Sequence, residues 1–197
     1  MNKKTLVLTD ELYFKIIEVM REGNFLYKDK EGVEREFKPN NRIATALNIE
    51  ANLGLRIGDV LKLRISDIIR DGTRYRLDIV EEKTKKKREF TVPIEVYSYI
   101  QEYAYTNNIK PSARLFDITV RAVQKQLQIV CEHLNIKGVS THSFRKYFAT
   151  NIYLNNNYNI ELVRKILQHS SAAVTQKYIG IQQKDIELAL QNNIRLV

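Results

Sequence analysis

From Pro93 to Asn192 the apolar residues recur at three- and four-residue spacing almost without a break, whereas apolar/polar alternation is confined to Tyr75–Pro93. Helical spacing buries one stripe of a helix and alternation buries one face of a strand. The division therefore dictates a mainly α chain with one small antiparallel β-sheet, an α+β fold. The spacing predicts helices over Glu95–Thr106, Thr119–Leu134, His142–Leu154, Ile160–Leu167, Ala172–Tyr178 and Lys184–Asn192, with loops at Pro111 and Gly138 between them. Ahead of the sheet, Thr9 is placed to cap a helix over Thr9–Arg21 whose apolar face carries Leu12, Ile16, Ile17 and Met20. Asn41–Leu53 reads as a helix that stops at Gly54, and about Arg56–Leu63 as a short one directly after it. The charged stretch Gly23–Pro39 reads either as a short hairpin or as a surface loop. Tyr75–Val80 and Glu89–Pro93 read as a hairpin with lysines at its tip.

The chain has 197 residues, 44% of them hydrophobic, which is enough for one domain over 1–197 with a real core. Its apolar stretches are short and broken by charges, so no membrane span is expected. Residues 1–6 lack the apolar run of a secretory signal, and the single Cys131 allows no intramolecular disulfide. Both point to a reducing, cytoplasmic setting. Lys and Arg number 32 against 23 Asp and Glu, a formal charge of +9 that attracts polyanions, nucleic acid first among them. Five of the six residues Lys83–Arg88 are cationic. On charge alone, that run reads as a solvated loop.

There is no Gly-rich phosphate loop and no Cys/His cluster with zinc spacing among His133, His142, His169 and Cys131. His142 and Arg145 stand i, i+3 on one helix, either as a surface pair or as an imidazole and a guanidinium sharing an anion, with Phe144, Tyr147, Phe148 and Ile152 forming the packed side. Gln168-His169-Ser170-Ser171 lies between two helices, where helix N-termini meet anions. Tyr178 follows nine residues later and, as one of 11 tyrosines, reads on its own as a core or rim residue. Arg56 follows Gly54-Leu55 at a helix start, and its plain role is an ion pair with Asp59.

Taken in order, however, these strings resemble the tyrosine recombinase (phage integrase) family over nearly the whole chain, from about Leu6 onward. The resemblance is carried by Leu53-Gly54-Leu55-Arg56-Ile57-Gly58-Asp59-Val60-Leu61-Lys62-Leu63 and by Lys83-Thr84 ahead of Val92-Pro93. It continues in Thr141-His142-Ser143-Phe144-Arg145-Lys146-Tyr147-Phe148-Ala149-Thr150, Leu167-Gln168-His169-Ser170-Ser171 and Tyr178-Ile179. It implies the DNA breaking-rejoining catalytic fold. It also implies Tyr178 as nucleophile on a DNA phosphodiester, giving a 3′-phosphotyrosine and a free 5′-hydroxyl. Arg56 and Arg145 would grip the non-bridging oxygens and His169 would donate a further hydrogen bond to them. His142 would assist proton transfer at the tyrosine, and Lys83 would protonate the leaving 5′-oxygen. Lys85 and Lys86 lie beside Lys83, and Lys85 stands where the family has the Gly of Lys-Thr-Gly. Gln168 replaces the family's usual Gly before the histidine. Asp59 matches the acid three after the first arginine, where it would orient that region by hydrogen bonding.

By the same resemblance no metal, nucleotide or other cofactor is needed. The partner is double-stranded DNA, on which the family forms dimers to tetramers, with a monomer expected in isolation. Arg114, Arg121, Lys125, Lys85 and Lys86 are the further candidate DNA contacts. The apolar residues Ile186, Leu188, Leu190, Ile194 and Leu196 would dock either on a neighbouring protomer or on their own domain. The N-terminal helical domain usual in the family is absent from this sequence, as in a fragment or a short branch of the family. Such a domain is expected to bind arbitrary duplex at micromolar affinity or weaker, with steep salt dependence. The alternatives are a type IB topoisomerase, which relaxes DNA without exchanging partners, and a non-catalytic DNA-binding regulator.

Overall fold

In the computed structural model, which describes residues 5–180 and 183–194, the chain runs α1 (Asp10–Glu22), β1 (Phe25–Lys28), β2 (Glu34–Phe37), α2 (Asn41–Leu53) and α3 (Ile57–Val60). A single 3-10 turn (Ile65–Asp67) leads into β3 (Ile68–Asp71), β4 (Arg74–Val80) and β5 (Lys87–Val92). The rest is helical: α4 (Ile94–Thr106), α5 (Val120–His133), α6 (Thr141–Asn155), α7 (Ile160–Leu167), α8 (Ala172–Gln176) and α9 (Gln183–Asn192). The mainly α reading holds.

Side-chain caps set most of the helix starts. Thr9 Oγ1 accepts the Leu12 amide, Asn40 Oδ1 that of Ile43, Thr119 Oγ1 that of Ala122, Asn159 Oδ1 that of Leu162 and Ser171 Oγ that of Val174. The central element is α2. Buried residues lie all around it, from Ile43 through Leu47 to Leu53, and its alanines at 44, 46 and 51 let neighbouring helices approach closely. α1, α4, α5 and α6 close around it into one core. A smaller apolar cluster of Ala149, Val163 and Leu167 lies under α6 and α7, with Phe148, Ile152, Tyr153 and Tyr178 against it.

The structure adds to the expected strands. Gly23–Pro39 is a two-stranded hairpin in the register Phe25↔Phe37, with those two rings stacked 4.7 Å apart. The second sheet has three strands in the order β3-β4-β5, all antiparallel. β3 escapes sequence reading because Ile68–Asp71 is four residues long with only Ile68 buried, which leaves no alternation to detect. α3 is a single turn with Arg56 as its N-cap rather than a helix reaching Leu63, and α8 ends at Gln176. Tyr178 therefore lies beyond α8 rather than on it, with its amide bonded to the Thr175 carbonyl at 2.8 Å. Ile186 and Leu190 on α9 stand exposed, as does Ile194 just beyond it; Leu196 and the side chain of Leu188 lie outside the described residues. No described helix is long and apolar enough to cross a membrane.

Candidate active site

Gly54 ends α2 in the left-handed conformation, φ 59°, and the chain turns at once into Arg56 and α3. Arg56 does not pair with Asp59. Its Nη1 meets the carboxylate of Glu81, just past β4. Asp59 instead accepts the Glu82 amide at 2.9 Å, tying α3 to the tip of the β4–β5 hairpin; burial raises its pKa. Lys83, Lys85 and Lys86 are exposed on that tip. Lys85 has φ 56°, so it adopts the backbone conformation that favours glycine, and the turn closes without the family's Gly.

Gln168 does the same at the end of α7, with φ 54°, and its Nε2 donates to the Lys87 carbonyl at 2.8 Å. The replacement of Gly thus leaves the turn in place and links it to β5.

On α6, His142 is exposed while Arg145 is fully buried, so the two do not project together as a surface pair. The Arg145 guanidinium donates to the Gly54 carbonyl and, at 3.2 Å, to that of Leu167. It therefore joins the ends of α2 and α7. Its Cζ lies 5.8 Å from the centre of the Tyr178 ring. The His169 ring lies 4.6 Å from the same ring, and its Nδ1 is 3.1 Å from Thr175 Oγ1. His169 Nε2 is buried with no hydrogen-bond partner. Tyr178 itself is half-buried on the small α6–α7 cluster. His133, by contrast, is structural, stacked 3.9 Å from the Phe25 ring.

The electrostatics favour an anion. Burial, then the charges of Arg145, Arg56 and Arg88, push the His169 pKa down to about 4. His142, although its surface is open to solvent, is lowered by partial desolvation of its ring and then by the charges of Arg145, Lys83 and Arg56, which places Lys83 within its electrostatic reach. Both imidazoles are thus held below the usual histidine range. Burial pushes Arg88 down to about 10, still charged. Burial works to raise the pKa of Glu81, but the Thr84 hydroxyl and the two arginines outweigh it and hold the carboxyl below its usual range. Burial drives the Glu50 carboxyl well above its usual range. Three guanidiniums, Arg56, Arg88 and Arg145, thus face an incomplete set of counter-charges.

Arg121 and Lys125 stand apart from this cluster, one turn apart on the exposed face of α5. They line a groove of about 740 Å³ against Tyr27, Lys28 and Arg35 of the β1–β2 hairpin. Arg114 lies on the loop before α5, and its charge reaches Glu82. Among the described residues no group of three or more His, Cys, Asp or Glu side chains could hold a metal ion.

The phage integrase family profile matches residues 31–185. The chain belongs to this family. It is similar to the probable integrase/recombinase YoeC of Bacillus subtilis, 32% identical over 143 residues, which cover 67% of this chain and 74% of that protein. It is also similar to a probable integrase/recombinase of Acholeplasma phage L2, 31% identical over 66% of this chain and 46% of that protein. The fold matches the XerH site-specific recombinase bound to palindromic difH substrate in a post-cleavage complex. There the TM-score is 0.71 at 19% identity, covering 97% of this chain and 54% of that one. The chain thus spans about half the length of the phage relative and of the XerH chain. It is a tyrosine recombinase catalytic domain in fold and family, and the named relatives are integrases and recombinases rather than topoisomerases or regulators.

Sequence reading missed Glu81 and Arg88, although the strands carry a signal for both. Inward parity runs Leu77, Ile79 and, one residue past β4, Glu81 on one side and Val92, Phe90, Arg88 on β5.

Proposed function

We propose that this domain cleaves and rejoins double-stranded DNA for site-specific recombination, with Tyr178 as the nucleophile. Its main support is the packing of Arg145 and His169 against Tyr178 within a cluster of excess positive charge. A scissile phosphate above the Tyr178 hydroxyl would take the free N–H groups of Arg56 and Arg145 on its non-bridging oxygens, and His169 Nε2 has no competing partner there.

Tyr178 Oη forms a bond to phosphorus while the bond from phosphorus to the 5′-oxygen breaks. The phenolic proton leaves by way of His142, and Lys83 gives a proton to the 5′-oxygen. A second 5′-hydroxyl reverses the step. One phosphodiester is exchanged for another, so rejoining draws on no nucleotide hydrolysis.

The exposed lysines of the hairpin tip, with Arg114, Arg121 and Lys125, would hold the flanking phosphates. The exposed apolar residues Ile186 and Leu190 of α9, with Ile194 after it, support assembly of several copies on DNA; without DNA the expected state is a monomer. A single reduced cysteine, Cys131, buried with its thiol pushed up to about 12, suits the cytoplasm of a bacterial or phage host.

The test is incubation with supercoiled plasmid in EDTA, scoring relaxation and an SDS-resistant protein–DNA adduct beside Tyr178→Phe. Both products are expected from the intact chain and neither from the variant. An adduct that persists in Tyr178→Phe overturns the nucleophile assignment.

A further inference from the structure

We propose that Glu81 is a positioning residue that locks Arg56 and the Lys83 turn to each other, with Arg88 holding its carboxylate from behind; this rests on reading the cluster as the DNA-cleaving site. Glu81 is 1% exposed, so its charge is retained where desolvation is costly. Each carboxylate oxygen has a distinct task. Oε2 receives Arg56 Nη1 and the Thr84 hydroxyl, the latter at 2.7 Å. Oε1 faces Arg88 Nε at 3.6 Å.

The Glu81 backbone closes the turn as well. Its carbonyl accepts the Lys85 amide and its amide donates to the Lys86 carbonyl, both at 2.9 Å. Lys83 is thereby enclosed between a backbone clasp and a side-chain clasp made by one residue. Arg88 is completely buried and anchored in turn, because its Nη1 donates to the Ile166 carbonyl near the end of α7, two residues before the Gln168–His169 turn. The carboxylate thus links the phosphate-gripping arginine, the proton-donating lysine and the helix end that precedes His169.

A merely structural ion pair would need only the Arg56 contact. The Thr84 bond adds a link whose sole further effect is on the turn carrying Lys83. Because Glu81 engages only one nitrogen of the Arg56 fork, the remaining N–H groups stay available to a phosphate. Aligning a group on the non-bridging oxygens with one on the leaving oxygen of the same phosphorus is where small displacements are most damaging; a shift of about 1 Å can cost about a hundredfold in rate.

The test compares the intact chain with Glu81→Gln and Glu81→Ala, using Glu89→Gln on the same hairpin as a control. In ¹⁵N relaxation of the free protein, the Arg56 Nε–H and the amides of residues 83–86 are expected to be ordered together. In Glu81→Ala they should loosen together, with order parameters falling from about 0.85 to below about 0.6. Near-isosteric Glu81→Gln should lie between and keep the fold. Adduct formation on supercoiled plasmid should slow by about tenfold or more in Glu81→Gln, with the affinity for duplex undiminished. The proposal is overturned if Arg56 and the turn stay ordered in Glu81→Ala, or if only one of them loosens. An adduct rate in Glu81→Gln equal to that of Glu89→Gln also overturns it. Tyr178→Phe in the same series reports on the cleavage reading separately, and the relaxation data judge Glu81 whichever way that control falls.

Discussion

The Arg145 guanidinium donates to the carbonyl of Gly54, a residue 91 positions earlier in the chain. Gly54 itself has φ 59°, and a Cβ there would overlap the ring of Phe148 on the same helix as Arg145. The end of α2 and the helix carrying His142 and Arg145 are therefore fitted to one another at a point where only glycine is accommodated. Gly54→Ala should cost roughly 1–2 kcal/mol for the left-handed backbone and roughly 1–3 kcal/mol more for overpacking. Gly72→Ala, at φ 61° in open space, should cost only the backbone part. Urea unfolding of the two variants checks this; equal losses would mean that α6 yields to the added methyl group without strain.

Much of the frame was legible because its signals are local. Thr9 and Gly54 announce the bounds of α1 and α2, and alternation announces β4 and β5. The catalytic candidates were legible only as an ordered set, since each alone has an ordinary reading. What stayed hidden depends on tertiary packing. Arg88 sits in a run of cations that reads as solvated, yet it is completely buried, because strand parity and not charge decides which way it points. Glu81 continues the inward row of β4 one residue past its end, but a carboxylate in that row carries no apolar signal. The partner of Arg56 was misread for a related reason: Asp59 is near in sequence, whereas Glu81 is brought near by the sheet.

Two buried groups should bend stability in opposite directions as the solution is acidified. The unfolded chain protonates His169 near 6.5 and the folded chain only near 4. Between those values the unfolded state binds more protons, so stability falls with falling pH, by at most about 1.4 kcal/mol per pH unit from this group. Glu50 keeps its proton in the folded state well above the usual value of 4.5, so it adds stability as pH falls towards that value. Denaturant unfolding between pH 7 and 4.5 should show His169→Asn losing less than the wild type on acidification and Glu50→Gln losing more. Parallel curves would show that neither side chain titrates differently on folding.

The hairpin tip separates a strained lysine from the proposed proton donor. Lys85 holds φ 56°, so Lys85→Gly removes a backbone cost of roughly 1–2 kcal/mol, offset by roughly 0.5–1 kcal/mol of glycine entropy. A small rise in Tm is expected, with adduct formation retained. Lys83→Ala touches no packed atom and should leave stability within about 0.5 kcal/mol, while slowing cleavage by about 10²–10⁴-fold if Lys83 is the general acid. A severe cleavage loss in Lys85→Gly with an active Lys83→Ala would move the proton donor to Lys85.

Arg121 and Lys125 stand on the same exposed face of α5 beside a groove rather than in the arginine–Tyr178 cluster, so their expected role is to neutralise phosphates. A contact of that kind releases a condensed counterion, and each one lost should reduce the slope of log affinity against log salt by about 0.9. The affinity for mixed-sequence duplex, followed by fluorescence anisotropy from low to physiological salt, should therefore show shallower lines for Arg121→Ala and Lys125→Ala. The two lines should converge with wild type at high salt, where the electrostatic part vanishes. A variant that binds more weakly at every salt with an unchanged slope has lost something other than a phosphate contact, and the assignment of α5 as a backbone-tracking helix would fail for that residue.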